Sequence, residues 1–210
     1  MENEDKPIDL KYPLLNDYVF KYVFSHKELQ QEFLKLFGEF LNQSLIKQII
    51  DTNAQNLIIA PNYCLKNYYG DILSILSGDI ILSLEIYNQF GYDEYKKSLC
   101  YIARIYGNQL KKNEPYSNAK KVVGITLFRN KVDFEMDNIL EEYKLTEQIT
   151  RIKTNEEMTL FLVDIDKLVE FTYNKCERLR NFAILLKMKR FYEMKEYIKD
   201  KETLIIKTDS

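Results

Sequence analysis

Asp71 and Glu85 are the two acids whose placement could support chemistry. They lie fourteen residues apart on two apolar runs, DILSIL and IILSLEIY, joined by Ser77-Gly78-Asp79. Runs rich in Ile and Leu and broken only by turn residues predict a β-hairpin. A three-residue loop sets Leu76 against Ile80, Ile75 against Ile81, and Asp71 against Glu85. Directly opposed residues share a face of the sheet, with Cβ atoms roughly 4.5–5.5 Å apart. A two-residue loop would instead place Leu84 opposite Asp71 and turn Glu85 to the other face, because a one-residue slip inverts the alternation. The paired reading therefore requires an odd loop. Two carboxylates that close repel each other unless a cation lies between them, and hard oxygen donors suit Mg²⁺. Taken alone, Asp71 is better explained as a strand-entry turn residue after Tyr69-Gly70. Glu85 is harder to explain that way, since a carboxylate inside an apolar strand is rare without a partner or ligand.

The flanking sequence supplies elements to hold such a hairpin. Leu15, Val19, Tyr22 and Val23 recur at helical spacing, and Leu29, Phe33, Leu36, Phe37 and Phe40 mark a second helix from about Lys27 to Leu41. The runs LIKQII and NLIIA between Gln43 and Asn67 read as short strands or as a strand and a turn. After the break at Phe90-Gly91-Tyr92, the residues Tyr95, Leu99, Ile102, Tyr106 and Leu110 predict a helix from about Asp93 to Lys112. KVVGITLF at 121–128 and MTLFLVDI at 158–165 read as buried strands, 134–149 as a loop with a short helix, and 174–199 as one long helix. The expected organisation is a tail over residues 1–10, an α/β domain over 11–170, and a C-terminal helix and tail over 171–210 packed on it.

Composition narrows the chemistry. The 210 residues carry 30 basic and 32 acidic side chains, a net charge of −2, so any nucleic-acid contact must be local. A single histidine, His26, excludes His₂ and His₃ zinc sites and leaves no choice of histidine for a triad. GxSxG, P-loop and GxGxxG motifs are absent from the sequence. The three isolated cysteines, Cys64, Cys100 and Cys176, fit free thiols. Apolar stretches fall well short of the roughly 18 residues that span a bilayer, and the acidic start MENEDK lacks a signal-peptide pattern. A cytoplasmic protein without a membrane partner is expected. The abundant Tyr and Phe fall mainly on the helical stripes and read as core, while Lys96, Lys97 and Arg104 read as a solvated helix face that could also meet phosphate.

The order helix, strand, acidic hairpin, helix, strand resembles the PD-(D/E)XK nuclease superfamily, and within it the recombination-promoting, transposase-like branch. The resemblance is carried by NDYVFKYVF at 16–24, Asp71 with Glu85 in EIY, YKKSLCYIARIYGNQLKKNEPYSNAKKVVGITLF at 95–128, and LFLVDIDKL at 160–168. It implies a restriction-endonuclease-like αβββαβ core with a mixed central sheet flanked by helices, plus a helical C-terminal extension. It also implies Mg²⁺ or Mn²⁺ held by Asp71 and Glu85, and DNA as the partner whose phosphodiester bond is hydrolysed. Asp17 and Lys21 match the N-terminal pattern, where capping and packing would account for them equally. The superfamily's third position, two residues past the glutamate, is usually lysine, and glutamine in this branch. Here it is Tyr87, whose phenol is largely protonated at neutral pH. The resemblance leaves Gln89, two residues further along, or Lys97, on the following helix, to take that place. The alternative is a catalytically degenerate nuclease fold acting as a DNA- or protein-binding module.

Overall fold

A computed structural model describes residues 80–149, 154–170, 177–190 and 192–197, together with Val19, Phe20, Phe33, Leu36 and the backbone of Ile58–Ile59 and Ile72–Leu76. Among these, the strands are β1 (Ile58–Ile59), β2 (Ile72–Leu76), β3 (Ile80–Tyr87), β4 (Lys121–Phe128), β5 (Leu140–Thr146) and β6 (Thr154–Asp164). The helices are α1 (Tyr92–Gly107), α2 (Ile165–Glu170) and α3 (Glu177–Lys187), and residues 192–197, Val19, Phe20, Phe33 and Leu36 are also helical. The strands form one sheet in the order β1-β2-β3-β4-β6-β5. β3, β4 and β6 run parallel at its centre, and β1, β2 and β5 are antiparallel to their neighbours. This is the mixed α/β sheet expected from the sequence.

Alternation along the central strands builds two cores. Ile80, Leu82, Leu84 and Ile86 join Val123, Ile125, Leu127, Phe161 and Val163 on one face, under Phe20, Phe33, α2 and α3. Ile81, Val122, Phe128, Leu160 and Leu162 lie on the other, against Ile102 and Ile105 of α1. A strand covered on both faces reads as a continuous apolar run, which is why IILSLEIY and KVVGITLF were legible. Of the N-terminal residues described, Phe20 and Phe33 are buried and Val19 is partly covered; Leu15, Tyr22, Val23, Leu29, Phe37 and Phe40 lie outside the described residues.

Three elements differ from the sequence reading. Residues 140–146 form an edge strand, not a loop and short helix, paired with β6 with a register shift between Lys144 and Leu145. Its polar composition is that of an edge: Lys144 reaches Glu142 at 2.8 Å and Glu156 at 3.5 Å. The C-terminal region is not one long helix. α2 follows directly on β6, where the Asp164 carboxylate accepts the amides of Asp166 (3.0 Å) and Lys167 (3.1 Å) as an N-cap. α3 then stops at Lys187, and residues 188–190 are not helical. Finally, α1 ends at Gly107 and not near Lys112, because Gln109 turns away to bond the backbone of Lys120.

α1 approaches the sheet most closely at Gly124. A Cβ there would stand 2.7 Å from Ile102 Cγ2 and 3.0 Å from Leu160 Cδ1, so the helix could not keep its seat. Gly124→Ala is expected to lower stability by about 1–3 kcal/mol in urea unfolding, the usual cost of overpacking.

α2 and α3 are tied by Lys187 Nζ to Asp166 Oδ1 at 2.7 Å, while the Asn130 amide meets Asp166 Oδ2 at 2.8 Å. Partial burial raises the Asp166 carboxyl's pKa. The Lys187 and Asn130 hydrogen bonds, with the charges of Lys187 and Arg129, outweigh it and hold the carboxyl below its usual range. A depressed folded-state pKa means stabilisation that is present above the unfolded value near 4 and lost as pH falls through the folded value. Asp166→Asn should therefore cost no more than about 1 kcal/mol at pH 7, given the partly exposed pair. Its unfolding curve should converge on that of the parent chain below about pH 4.

Candidate active site

The β2–β3 hairpin has the register of a three-residue loop: Leu76 opposes Ile80, Ile75 opposes Ile81, and Ile72 opposes Leu84. Asp71, like Asp17, Lys21 and His26, lies outside the described residues. Glu85 lies on β3, 4% exposed, on the face that α1 covers. Its neighbour in the parallel ladder is Thr126 of β4. Ser83 lies two residues before it on the same face, at 1% exposure.

Ser83, Glu85, Ser98 and Thr126 are four of the six buried polar side chains among the described residues, and all four meet where α1 crosses β3 and β4. Their proton directions follow from geometry. The Ser98 hydroxyl donates to the carbonyl of Glu94 at 3.0 Å, one turn earlier in α1. The 3.2 Å contact between Ser98 and Thr126 must then use the Thr126 proton, since Ser98 has only one. Thr126 thus presents lone pairs, and no hydroxyl proton, to the space beside Glu85.

The strand stops at Tyr87 for an identifiable reason. Phe90 is fully buried, stacked on Phe128 with ring centroids 4.2 Å apart and edge-on to Phe134 at 5.2 Å. Its backbone re-enters the sheet through Asn130 and Lys131. To deliver that ring, Asn88 and Gln89 bend outward into solvent. Gln89 is therefore not on the strand face that carries Glu85 and Tyr87, contrary to the extrapolation of the β3 alternation.

Lys97 comes closer. From the first half of α1 its ammonium lies over the Tyr87 ring at 5.1 Å and over Tyr101 at 5.4 Å, within the range of cation–π attraction. Lys96 instead covers Tyr92, at 4.6 Å. The α1 N-terminus is occupied by acids: Glu94 accepts the Gly91 amide at 2.9 Å and Asp133 the Tyr92 amide at 3.1 Å. A Cβ on Gly91 would strike the Asp133 carboxylate, which explains the glycine. Tyr95 and Tyr143 pack nearby with ring centroids 5.4 Å apart. Burial pushes both phenols above their ordinary range, helped at Tyr143 by its 2.6 Å hydrogen bond to Glu141. They are neutral packing groups, in keeping with the core role read for the aromatics.

Ser98 and Thr126 escaped the sequence reading because single hydroxyls on apolar segments carry no periodic signal. Ser98 even falls off the stripe drawn through Tyr95, Leu99 and Ile102, although Ser98, Tyr101, Ile102 and Ile105 are the residues α1 buries. Because the two hydroxyls share one buried hydrogen bond, Ser98→Ala and Thr126→Val should each cost about 1 kcal/mol or more. The double variant should cost less than the sum, by about 0.5 kcal/mol or more, in a chemical-denaturation cycle.

Residues 14–208 match a family described as PD-(D/E)XK nuclease family transposase. No curated protein and no solved structure matches the chain. The acidic hairpin, the α1 crossover and the parallel strands β3 and β4 lie within the matched span, and the chain belongs to the PD-(D/E)XK nuclease family transposases.

Proposed function

We propose that the chain is a metal-dependent DNA endonuclease that hydrolyses phosphodiester bonds in the PD-(D/E)XK manner, with a link to recombination or a mobile element. The observation that carries the reading is the hairpin register. It runs from Leu76 opposite Ile80 to Ile72 opposite Leu84, and one more step of the same ladder would set Asp71 against the buried Glu85.

Asp71 and Glu85 would hold a divalent cation, Mg²⁺ or Mn²⁺. Donor chemistry supports this: a nearly buried carboxylate oxygen beside a hydroxyl whose proton is directed elsewhere is a hard, anionic setting. When bound, the cation would acidify a water and offset charge on the phosphate. Lys97 is the better claimant for the third position, since it brings a positive charge over the Tyr87 ring while Gln89 faces solvent. Its role would be to orient the attacking water.

Tyr87 favours a second reading. Its ring sits 5.8 Å from that of Phe90, at the margin of the aromatic core, so it serves the packing of the site. A fold that has given up catalysis and binds DNA or a protein would tolerate this.

Nicking of supercoiled plasmid in Mg²⁺ or Mn²⁺ separates the two. On the nuclease reading Glu85→Ala and Asp71→Ala reduce the rate by at least about a hundredfold. Lys97→Met also costs about a hundredfold, whereas Gln89→Ala costs less than about tenfold. Activity that survives Glu85→Ala, or inactivity with both metals, rejects it. Calorimetry with Mg²⁺ completes the test, because a retired site need not bind the ion.

A further inference from the structure

The connection from α1 to β4 is exposed from Lys111 to Asn118, yet two hydrogen-bonded turns organise it. Gln109 clamps its far end like a peptide group: Nε2 donates to the Lys120 carbonyl at 2.8 Å and Oε1 accepts the Lys120 amide at 2.7 Å. Inside the clamp, Glu114 accepts the Lys111 amide at 2.8 Å and returns its own amide to the Lys111 carbonyl at 3.1 Å. Asn113 takes the left-handed conformation that closes this turn (φ 73°). Pro115 then opens a single 3₁₀ turn, Tyr116–Asn118, closed by amides of Asn118 and Ala119.

This framework holds one aromatic ring out in solvent. Tyr116 is 91% exposed, the most exposed tyrosine among the described residues. In sequence it is flanked by Lys111 and Lys112 before and Lys120 and Lys121 after, against the one acid Glu114, whose carboxylate is engaged by the Lys111 amide. A chain of net charge −2 thus places four lysines within five residues of this ring in sequence, one of which, Lys121, lies 3.9 Å from Glu156. Fixing an exposed loop costs conformational entropy, and here nothing buried by Tyr116 offsets it.

We propose that this loop is a binding site for single-stranded DNA, with a base stacked on Tyr116 and adjacent phosphates met by Lys111 and Lys112. Stacking on an exposed ring with lysines alongside is the general means of holding an unpaired strand, and every base offers a face to it. The loop precedes Lys121, which pairs with Ile80, and Thr126 beside Glu85 lies five residues further up β4. The separation is about 17 Å along the strand, so the loop is a place apart from Glu85 and does not depend on it.

The test uses the full chain carrying Glu85→Ala in EDTA, so that neither cleavage nor metal binding enters, and reads fluorescence anisotropy of a labelled single-stranded oligothymidylate. Tyr116→Ala is expected to weaken binding about five- to a hundredfold, and Tyr116→Phe to retain it. Circular dichroism should confirm the unchanged fold of both. Lys111→Ala with Lys112→Ala should reduce the slope of log affinity against log salt by about 1.4. A blunt duplex, which offers no unpaired base, should not respond to Tyr116→Ala. The proposal is overturned if Tyr116→Ala binds the oligonucleotide as the parent does, if the parent does not bind it at low salt, or if polyglutamate binds equally well, which would mark a site for an acidic protein. Success or failure here leaves the plasmid-nicking result undecided, and the reverse holds too.

Discussion

β3 is covered on both faces, by α1 on one side and by Phe20, Phe33, α2 and α3 on the other, and seven of its eight residues are buried. Burying a carboxylate in such a strand is costly unless its charge is answered by a hydrogen bond, a cation or a proton. Glu85 occupies the sixth position of that strand, so the elements packed on it must make the arrangement tolerable. The surroundings of Glu85 are polar. Ser83 lies on the same face of the strand, Thr126 opposite in the ladder, and Ser98 comes down from the helix.

The close seat of α1 depends on the same interface. Gly124 lies opposite Ser83 and lets Ile102 descend onto the sheet, while Ser98 brings a hydroxyl to Thr126 two residues along the strand. Because the Ser98 proton is committed to the Glu94 carbonyl, the helix fixes the polarity of the pair as well as its position. Glu94 also accepts the Gly91 amide at the start of α1. One residue therefore links the start of the helix, through Ser98, to the ladder beside Glu85. A shift of α1 would disturb the cap, the glycine contact and the hydroxyl pair together.

The parallel strands were legible because burial on both faces removes alternation and leaves unbroken apolar runs, and β3 and β4 match the expected spans. The hairpin register was one of two the sequence left open, and Leu76 against Ile80 is the odd-loop one. Edges and corners were less legible. β5 carries LEEYKLT, whose charges are satisfied across strands by Lys144, Glu142 and Glu156, contacts that no local pattern encodes. The outward bend at Gln89 is set by Phe90 stacking on Phe128, thirty-eight residues away. Of the expected site, the hairpin and Glu85 could be read from local sequence. Lys97 could be named beside Gln89, but the hydroxyls, and the approach of Lys97 to Tyr87 while Gln89 turns outward, could not, because they depend on how α1 is rotated on the sheet and on the bend at Phe90.

That rotation also bears on Tyr87. It is the last residue of β3, where burial gives way to the bend at Asn88, and its ring spans the boundary between the Phe90 core and solvent. A lysine there would leave that edge of the aromatic core uncovered, and its ammonium would have to extend from the strand end itself. Tyrosine covers the edge and offers its face to a cation from elsewhere, and Lys97 takes up that face from one turn inside α1. Packing and positive charge, which a single strand lysine would have to supply together, are divided between two residues on two elements. Such a division leaves the charge mobile on a long side chain but guides it with two rings, Tyr87 and Tyr101. On the proposed reading, the departure at position 87 thus displaces the third member of the site onto the helix without removing the charge it contributes.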